Sequence, residues 1–160
     1  MIAHVEAQLR GEPAVLIGSS LGGWVALRVA ERNPNIVGLG LLAPAIGLAE
    51  GWKRRLPNAV EGWRKRGWLA VEDHALGRMG RVDIGFLDDV DEIDAGGVPD
   101  VRVPTVIVHG TEDDVVPIAG SRRWAAERPN ASLVEVRDGH QLGASFPEIF
   151  EAFAGFVSPG

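Results

Sequence analysis

Five residues, Gly18-Ser19-Ser20-Leu21-Gly22, stand between an apolar run and a helix-forming stretch. The run is Ala14-Val15-Leu16-Ile17, and the stretch is Trp24-Val25-Ala26-Leu27-Arg28-Val29-Ala30. A G-x-S-x-G pattern in that position predicts a tight strand-to-helix turn. The backbone there is strained, and glycines on both sides avoid a Cβ clash. The turn lifts the serine hydroxyl clear of the sheet. It also points the backbone N–H of Leu21 at the place where an oxyanion would form. Register selects Ser20, because centring the pattern on Ser19 would require a small residue where Ile17 stands.

Two further strand-like runs carry candidate partners for Ser20. Val103 to His109 is apolar and rich in β-branched residues, and it leads into Gly110-Thr111-Glu112-Asp113-Asp114-Val115-Val116-Pro117. A carboxylate just beyond a strand end is well placed to orient a base. Leu133-Val134-Glu135-Val136 comes next, followed by Arg137-Asp138-Gly139-His140. Serine, aspartate and histidine then follow in that chain order, each after a strand. That is the order of a Ser-Asp/Glu-His triad on an α/β sheet.

On Gly18-Ser19-Ser20-Leu21-Gly22-Gly23-Trp24, on His109-Gly110 with Asp113 and Val116-Pro117, and on Gly139-His140, the chain resembles the α/β-hydrolase superfamily of serine hydrolases. The wording is most similar to small cytoplasmic esterases and thioesterases, and the resemblance runs from Pro13 to Val157. It implies a catalytic triad of Ser20, Asp113 and His140, with Leu21 as oxyanion donor. The acid falls on Asp113 by the G-x-x-D spacing, and Asp114 is the neighbouring alternative. The implied chemistry is acyl transfer to water from a small-molecule ester or thioester, without metal or cofactor. A peptidase or C–C bond hydrolase would use the same triad. The implied location is cytoplasmic.

Composition sets limits. One domain suits 160 residues. A net charge of −6 argues against nucleic acid or an anionic membrane as the main partner. No cysteine is present, so disulfides, thiolate catalysis and cysteine metal sites are excluded. Met1 to Arg10 does not read as a signal peptide, and no apolar stretch reaches membrane length. Asn130-Ala131-Ser132 fits the N-glycosylation pattern as a chance match in a chain without a secretion signal. No His, Asp and Glu set has metal-ligand spacing. His4 and His74 read as surface residues, and His109 as a residue bonded locally.

The order of elements predicts an α/β fold of the three-layer hydrolase type, a mostly parallel sheet with helices on both faces. Helices are expected at the N-terminus up to Gly11, over Leu21 to Arg32, over Ile118 to Arg128 and over Phe146 to Phe156. Strands are expected at Ala14 to Ile17, Ile36 to Leu42, Val103 to His109 and Ala131 to Val136. Gly22, Ala26 and Ala30 recur every four residues and predict a small-residue face against the sheet. Residues 45–98 break the alternation and read as an inserted helical cap of a single domain. Trp52, Trp63 and Trp68 there either line an acyl pocket or pack the cap. Lys53-Arg54-Arg55 and Arg64-Lys65-Arg66 read as a solvated helix face.

The chain departs from the family upstream of Pro13. The residues there read as a helix, where relatives carry strands and a loop supplying the second oxyanion N–H. Loss of one such donor costs about 2.7–4 kcal/mol in the transition state. A truncated serine hydrolase and a non-catalytic remnant acting as an interaction module are therefore both compatible with the sequence. Either way the Ala14–Ile17 strand should present an uncovered edge, a site for self-association.

Overall fold

The computed structural model describes residues 1–55, 57–73 and 77–157. His74, expected at the surface, lies outside them. In chain order the elements are α1 (Ile2–Gln8), β1 (Ala14–Ser19), α2 (Leu21–Ala30), β2 (Ile36–Leu42), α3 (Leu48–Arg55), α4 (Pro57–Arg66), β3 (Trp68–Asp73), β4 (Arg78–Asp83), α5 (Ile84–Asp94), β5 (Thr105–Gly110), α6 (Ala119–Ala126), β6 (Ala131–Val136) and α7 (Phe146–Val157). They form two compact units: Met1–Ile46 together with Pro99–Gly160, and Gly47–Val98.

The first unit is built on a parallel sheet of order β1-β2-β5-β6. Its two central strands, β2 and β5, are mostly buried apolar runs, as parallel strands become where helices cover both faces. On one face α2 packs against β1 and β2. Trp24, Leu27, Val29, Leu39 and Leu41 are all buried in this unit. Each such side chain contributes roughly 1.5–3 kcal/mol relative to exposure. On the other face Val108, Val136, Ala43, Leu142 and Phe153 of α7 form a second cluster. Gly40 of β2 makes room there: a Cβ would lie 3.1 Å from the Phe153 ring.

The small-residue face of α2 is phased differently from the expectation. Gly22 is exposed and faces open space, whereas Gly23 lies against Pro44, where a Cβ would come within 2.8 Å of the proline Cβ. The turn before α2 sets this phase, so the second glycine of the pair meets the neighbouring backbone. Gly22 and Ala26 instead line an apolar groove of about 370 Å³, together with Met1, Val5 and Leu16. His4, exposed as expected, sits on its rim.

The second unit, expected as a helical insertion, carries strands as well. Besides α3, α4 and α5 it holds an antiparallel hairpin of β3 and β4, with Trp68 opposite Asp83 and Asp73 opposite Arg78. Charged residues at Glu72, Asp73, Arg78, Arg81 and Asp83 leave these strands little apolar alternation to read. Asp83 caps α5 by accepting the Gly85 N–H at 2.8 Å, a favoured N-cap arrangement. The basic runs do more than face water. Lys53 pairs with Asp91 at 2.6 Å and Arg64 with Asp88 at 2.9 Å, so the basic helices meet the acidic run of α5. Among the described residues no helix is long and apolar enough to cross a membrane.

Strand β1 pairs with β2 and, among the described residues, with no other strand. Its outer N–H and C=O groups stand beside Val15 and Ile17, which are 38% and 60% exposed. An open edge flanked by apolar side chains recruits another strand. Light scattering coupled to size exclusion should therefore give a mass above 17.1 kDa that rises with concentration, and Val15→Lys should lower it. A concentration-independent monomer would show that this edge is closed in solution.

Candidate active site

The elbow between β1 and α2 is strained in the way its glycines suggest. Ser20 takes φ 52° and ψ −116°, a positive φ that non-glycine residues seldom adopt. Surrounding backbone holds it there. Ser20 N–H donates to Leu42 O at 2.8 Å, and Ser20 O accepts from Gly23, Trp24 and Ala45 N–H groups at 3.0–3.2 Å. Gly18 is required by close approach: a Cβ there would run into the Gly22 carbonyl and lie 2.8 Å from Gly23 N. Gly22 has no such neighbour, so the need for glycine on the far side of Ser20 falls on Gly23. Leu21 is the first residue of α2, and its N–H lacks an intrahelical acceptor by position.

Three loops at the C-terminal ends of β1, β5 and β6 bring Ser20, Asp113 and His140 together. Ser20 Oγ lies 3.0 Å from His140 Nε2, and His140 Nδ1 lies 2.8 Å from Asp113 Oδ2. A carboxylate can only accept, so Nδ1 carries the ring proton. Nε2 is then free to accept from the Ser20 hydroxyl. Asp113 has a fully buried side chain, and its Oδ1 accepts from the N–H groups of Val115 and Val116 at 2.9 and 2.7 Å. Asp114, the alternative, is exposed.

The acid loop and the histidine loop are joined by backbone. Thr111 N–H donates to Val136 O at 2.8 Å and Glu112 N–H to Asp138 O at 3.0 Å. Gly110, at the end of β5, touches the Asp138–Gly139 turn so closely that a Cβ would overlap the Asp138 carbonyl oxygen. Asp138 in turn closes the histidine loop. Its carboxylate accepts from Gly139 N–H at 2.7 Å, Ala144 N–H at 2.9 Å and Ser145 Oγ–H at 2.9 Å. Burial alone would raise the Asp138 pKa, but these donors outweigh it and hold the carboxyl below its ordinary range. Asp138 carries no site role in the sequence reading; its position next to the Gly139-His140 signature was the available signal.

The three tryptophans have partners inside their own unit. Trp63 is 2% exposed and donates its indole N–H to Val82 O at 3.1 Å. Its ring sits 5.8 Å from that of Trp52, which is 5.9 Å from Phe86. Trp52 and Trp63 line a cavity of about 40 Å³. Trp68 stacks under Arg81, whose guanidinium carbon is 4.2 Å from the ring centroid. His109, read as locally bonded, contacts Val116 O and Ser121 Oγ at 2.8 Å each. Among the described residues no group of three or more His, Asp or Glu is placed to hold a metal ion.

Gly110→Ala should destabilise the fold by about 1–3 kcal/mol, since backbone rather than a flexible side chain meets the new methyl. It should also lengthen the His140–Asp113 contact. Urea denaturation measures the first effect, and an unchanged midpoint would show that the two loops are not in contact.

Residues 1–153 match the description of the Alpha/beta hydrolase family. The uncharacterized hydrolase YugF of Bacillus subtilis is 24% identical over 98% of this chain and 70% of its own length. Alpha/beta hydrolase domain-containing protein 10 from mouse superposes with a TM-score of 0.77 at 21% identity, covering 97% of this chain and 66% of that one. Est1E from Butyrivibrio proteoclasticus, solved with ferulic acid bound, gives 0.74 at 21% identity, covering 98% and 63%. The chain thus spans about two thirds of the length of these relatives. The chain belongs to the α/β-hydrolase family.

Proposed function

We propose that this chain carries the catalytic triad of a serine hydrolase that cleaves a carboxylic ester or thioester through an acyl-enzyme. The observation that supports this reading is the continuous hydrogen-bonded series from Ser20 Oγ through His140 to Asp113. Serine is a weak nucleophile until a base takes its proton. In the proposed sequence His140 Nε2 accepts the Ser20 proton as Oγ bonds to the acyl carbon. The carbonyl oxygen becomes an oxyanion facing the Leu21 N–H. Asp113 holds the Nδ1–H tautomer and stabilises the imidazolium. His140 then protonates the departing alcohol or thiol. Water repeats the cycle on the acyl-enzyme, with His140 taking its proton and Ser20 recovering its own.

The chemistry of the triad and membership of a hydrolase family support an ester or thioester as the substrate. The esterase domain of a Rhodothermus marinus protein stands among the structural neighbours, and ester cleavage is accordingly the activity to test first. The purified chain should hydrolyse p-nitrophenyl acetate, and Ser20→Ala should abolish this without altering the circular dichroism spectrum. Asp113→Asn should lower kcat by about 10⁴-fold, by analogy with loss of a triad acid, and Asp114→Asn by less than about tenfold. Equal rates for wild type and Ser20→Ala would overturn the reading. Reversal of the two aspartates would move the acid to Asp114.

A further inference from the structure

Asp138 has no part in the proposed reaction, yet its carboxylate spans the loop that carries His140. Oδ1 accepts from the Gly139 N–H at 2.7 Å, where the loop begins. Oδ2 accepts from the Ala144 N–H and from the buried Ser145 hydroxyl, both at 2.9 Å, where it ends. The backbone between these ends is strained. Leu142 takes φ 52°, a region that bulky side chains seldom adopt. Its side chain is buried in one cluster with Val108, Val136 and Phe153. The main-chain bonds inside the loop are long. Leu142 N–H donates to Gly139 O at 3.3 Å, and Ser145 N–H to Leu142 O at 3.2 Å. Bonds to an ionised carboxylate are roughly twice as strong as neutral ones, and bonds near 2.9 Å are better than longer ones. Burial would raise the Asp138 pKa, but its donors outweigh that and hold the carboxyl below its ordinary range. Both oxygens are therefore acceptors at neutral pH, and their short bonds do more to hold the strained loop than its own backbone bonds do. The main chain of Asp138 reaches the other way. Its carbonyl accepts from Glu112 N–H at 3.0 Å, one residue before Asp113.

We propose that Asp138 is a positioning residue for His140: its carboxylate grips both ends of the histidine loop while its carbonyl grips the acid loop, so that the imidazole meets Ser20 and Asp113 at once. The inference rests on the triad reading above. His140 is the second residue inside the clipped loop, and its ring has to satisfy two partners on different strands' loops. A loop released at either end would let the ring keep one partner and drift from the other. The isosteric variant Asp138→Asn releases an end without changing the volume. An amide has one acceptor oxygen and an NH₂ that must face a donor. The Ser145 hydroxyl can turn to accept from that NH₂, but the Gly139 and Ala144 N–H groups cannot. Whichever way the amide is turned, one backbone N–H at an end of the loop loses its acceptor.

The test compares Asp138→Asn, Ser145→Ala and Ile36→Val in the full chain. Ile36 is buried at the start of β2, at the opposite end of the sheet from the triad loops, so Ile36→Val controls for lost stability alone. The readouts are kcat and KM on p-nitrophenyl acetate, the proton NMR signal of His140 Nδ1–H, and the urea midpoint. Asp138→Asn should lower kcat by roughly 10- to 100-fold with KM unchanged, the scale expected when a catalytic group is displaced by about 1 Å. Its Nδ1–H signal should broaden as exchange with water speeds up. Ser145→Ala keeps the carboxylate and both backbone donors, and should lie between Asp138→Asn and wild type in both readouts. Ile36→Val should lower the midpoint and leave kcat and the signal unmoved. A lowered midpoint in Asp138→Asn with kcat and signal at wild-type values would reduce Asp138 to a stabilising contact and overturn the proposal. If Asp138→Asn does not fold, Ser145→Ala decides: a lower kcat with a broadened signal supports the proposal, and wild-type values of both overturn it. A wild-type chain that hydrolyses nothing would count against the functional reading alone, because the NMR signal decides Asp138 independently of turnover.

Discussion

A carboxylate with no exposed side-chain surface must be surrounded by donors, and most of this site is arranged to supply them to Asp113. Removing an ion from water costs several kcal/mol unless hydrogen bonds replace the lost hydration. Val115 and Val116 turn their N–H groups onto Oδ1, which fixes the curl of the loop after β5. His140 meets Oδ2 from the loop after β6. Because one donor comes from another strand's loop, the two loops have to lie side by side. The Glu112–Asp138 and Thr111–Val136 backbone bonds and the bare Gly110 make that approach.

The third member is delivered by backbone strain. Ser20 is held at positive φ by bonds on both sides, from its own N–H to β2 and from Ala45 back to its carbonyl. Strain of this type persists only where the surroundings over-determine the conformation. Here the surroundings are the parallel sheet, which sets β1 next to β2, and α2, which starts one residue after the serine. Parallel strands end on one side of a sheet. Loops leaving β1, β5 and β6 therefore meet without any long-range coincidence of sequence.

Much of this was legible in the residues, for physical reasons that also explain what was not. The elbow could be read because a strained turn admits few residue types, and Gly18 and Ser20 behave accordingly. The order of strands and helices in the first unit could be read because parallel strands buried on both faces become unbroken apolar runs, as in Ile36–Leu42 and Thr105–Gly110. The β3–β4 hairpin was not legible, since its strands carry charge where alternation would have shown. The close contact expected at Gly22 falls on Gly23 instead, because a four-residue spacing does not reveal the rotation that the elbow imposes on α2. The partners of His109, Val116 O and Ser121 Oγ, depend on how β5, its loop and α6 fold over one another, which the residues around the histidine do not reveal.

The central claim is that Ser20 is made nucleophilic by His140 and Asp113. Mass spectrometry after exposure to a fluorophosphonate tests it most directly, since the reagent phosphonylates an activated serine and ignores an ordinary one. The account predicts one adduct per chain, on Ser20 rather than Ser19, formed rapidly in the native protein and lost in His140→Ala. An adduct on another serine, or labelling of Ser20 that proceeds equally fast without His140, would contradict it.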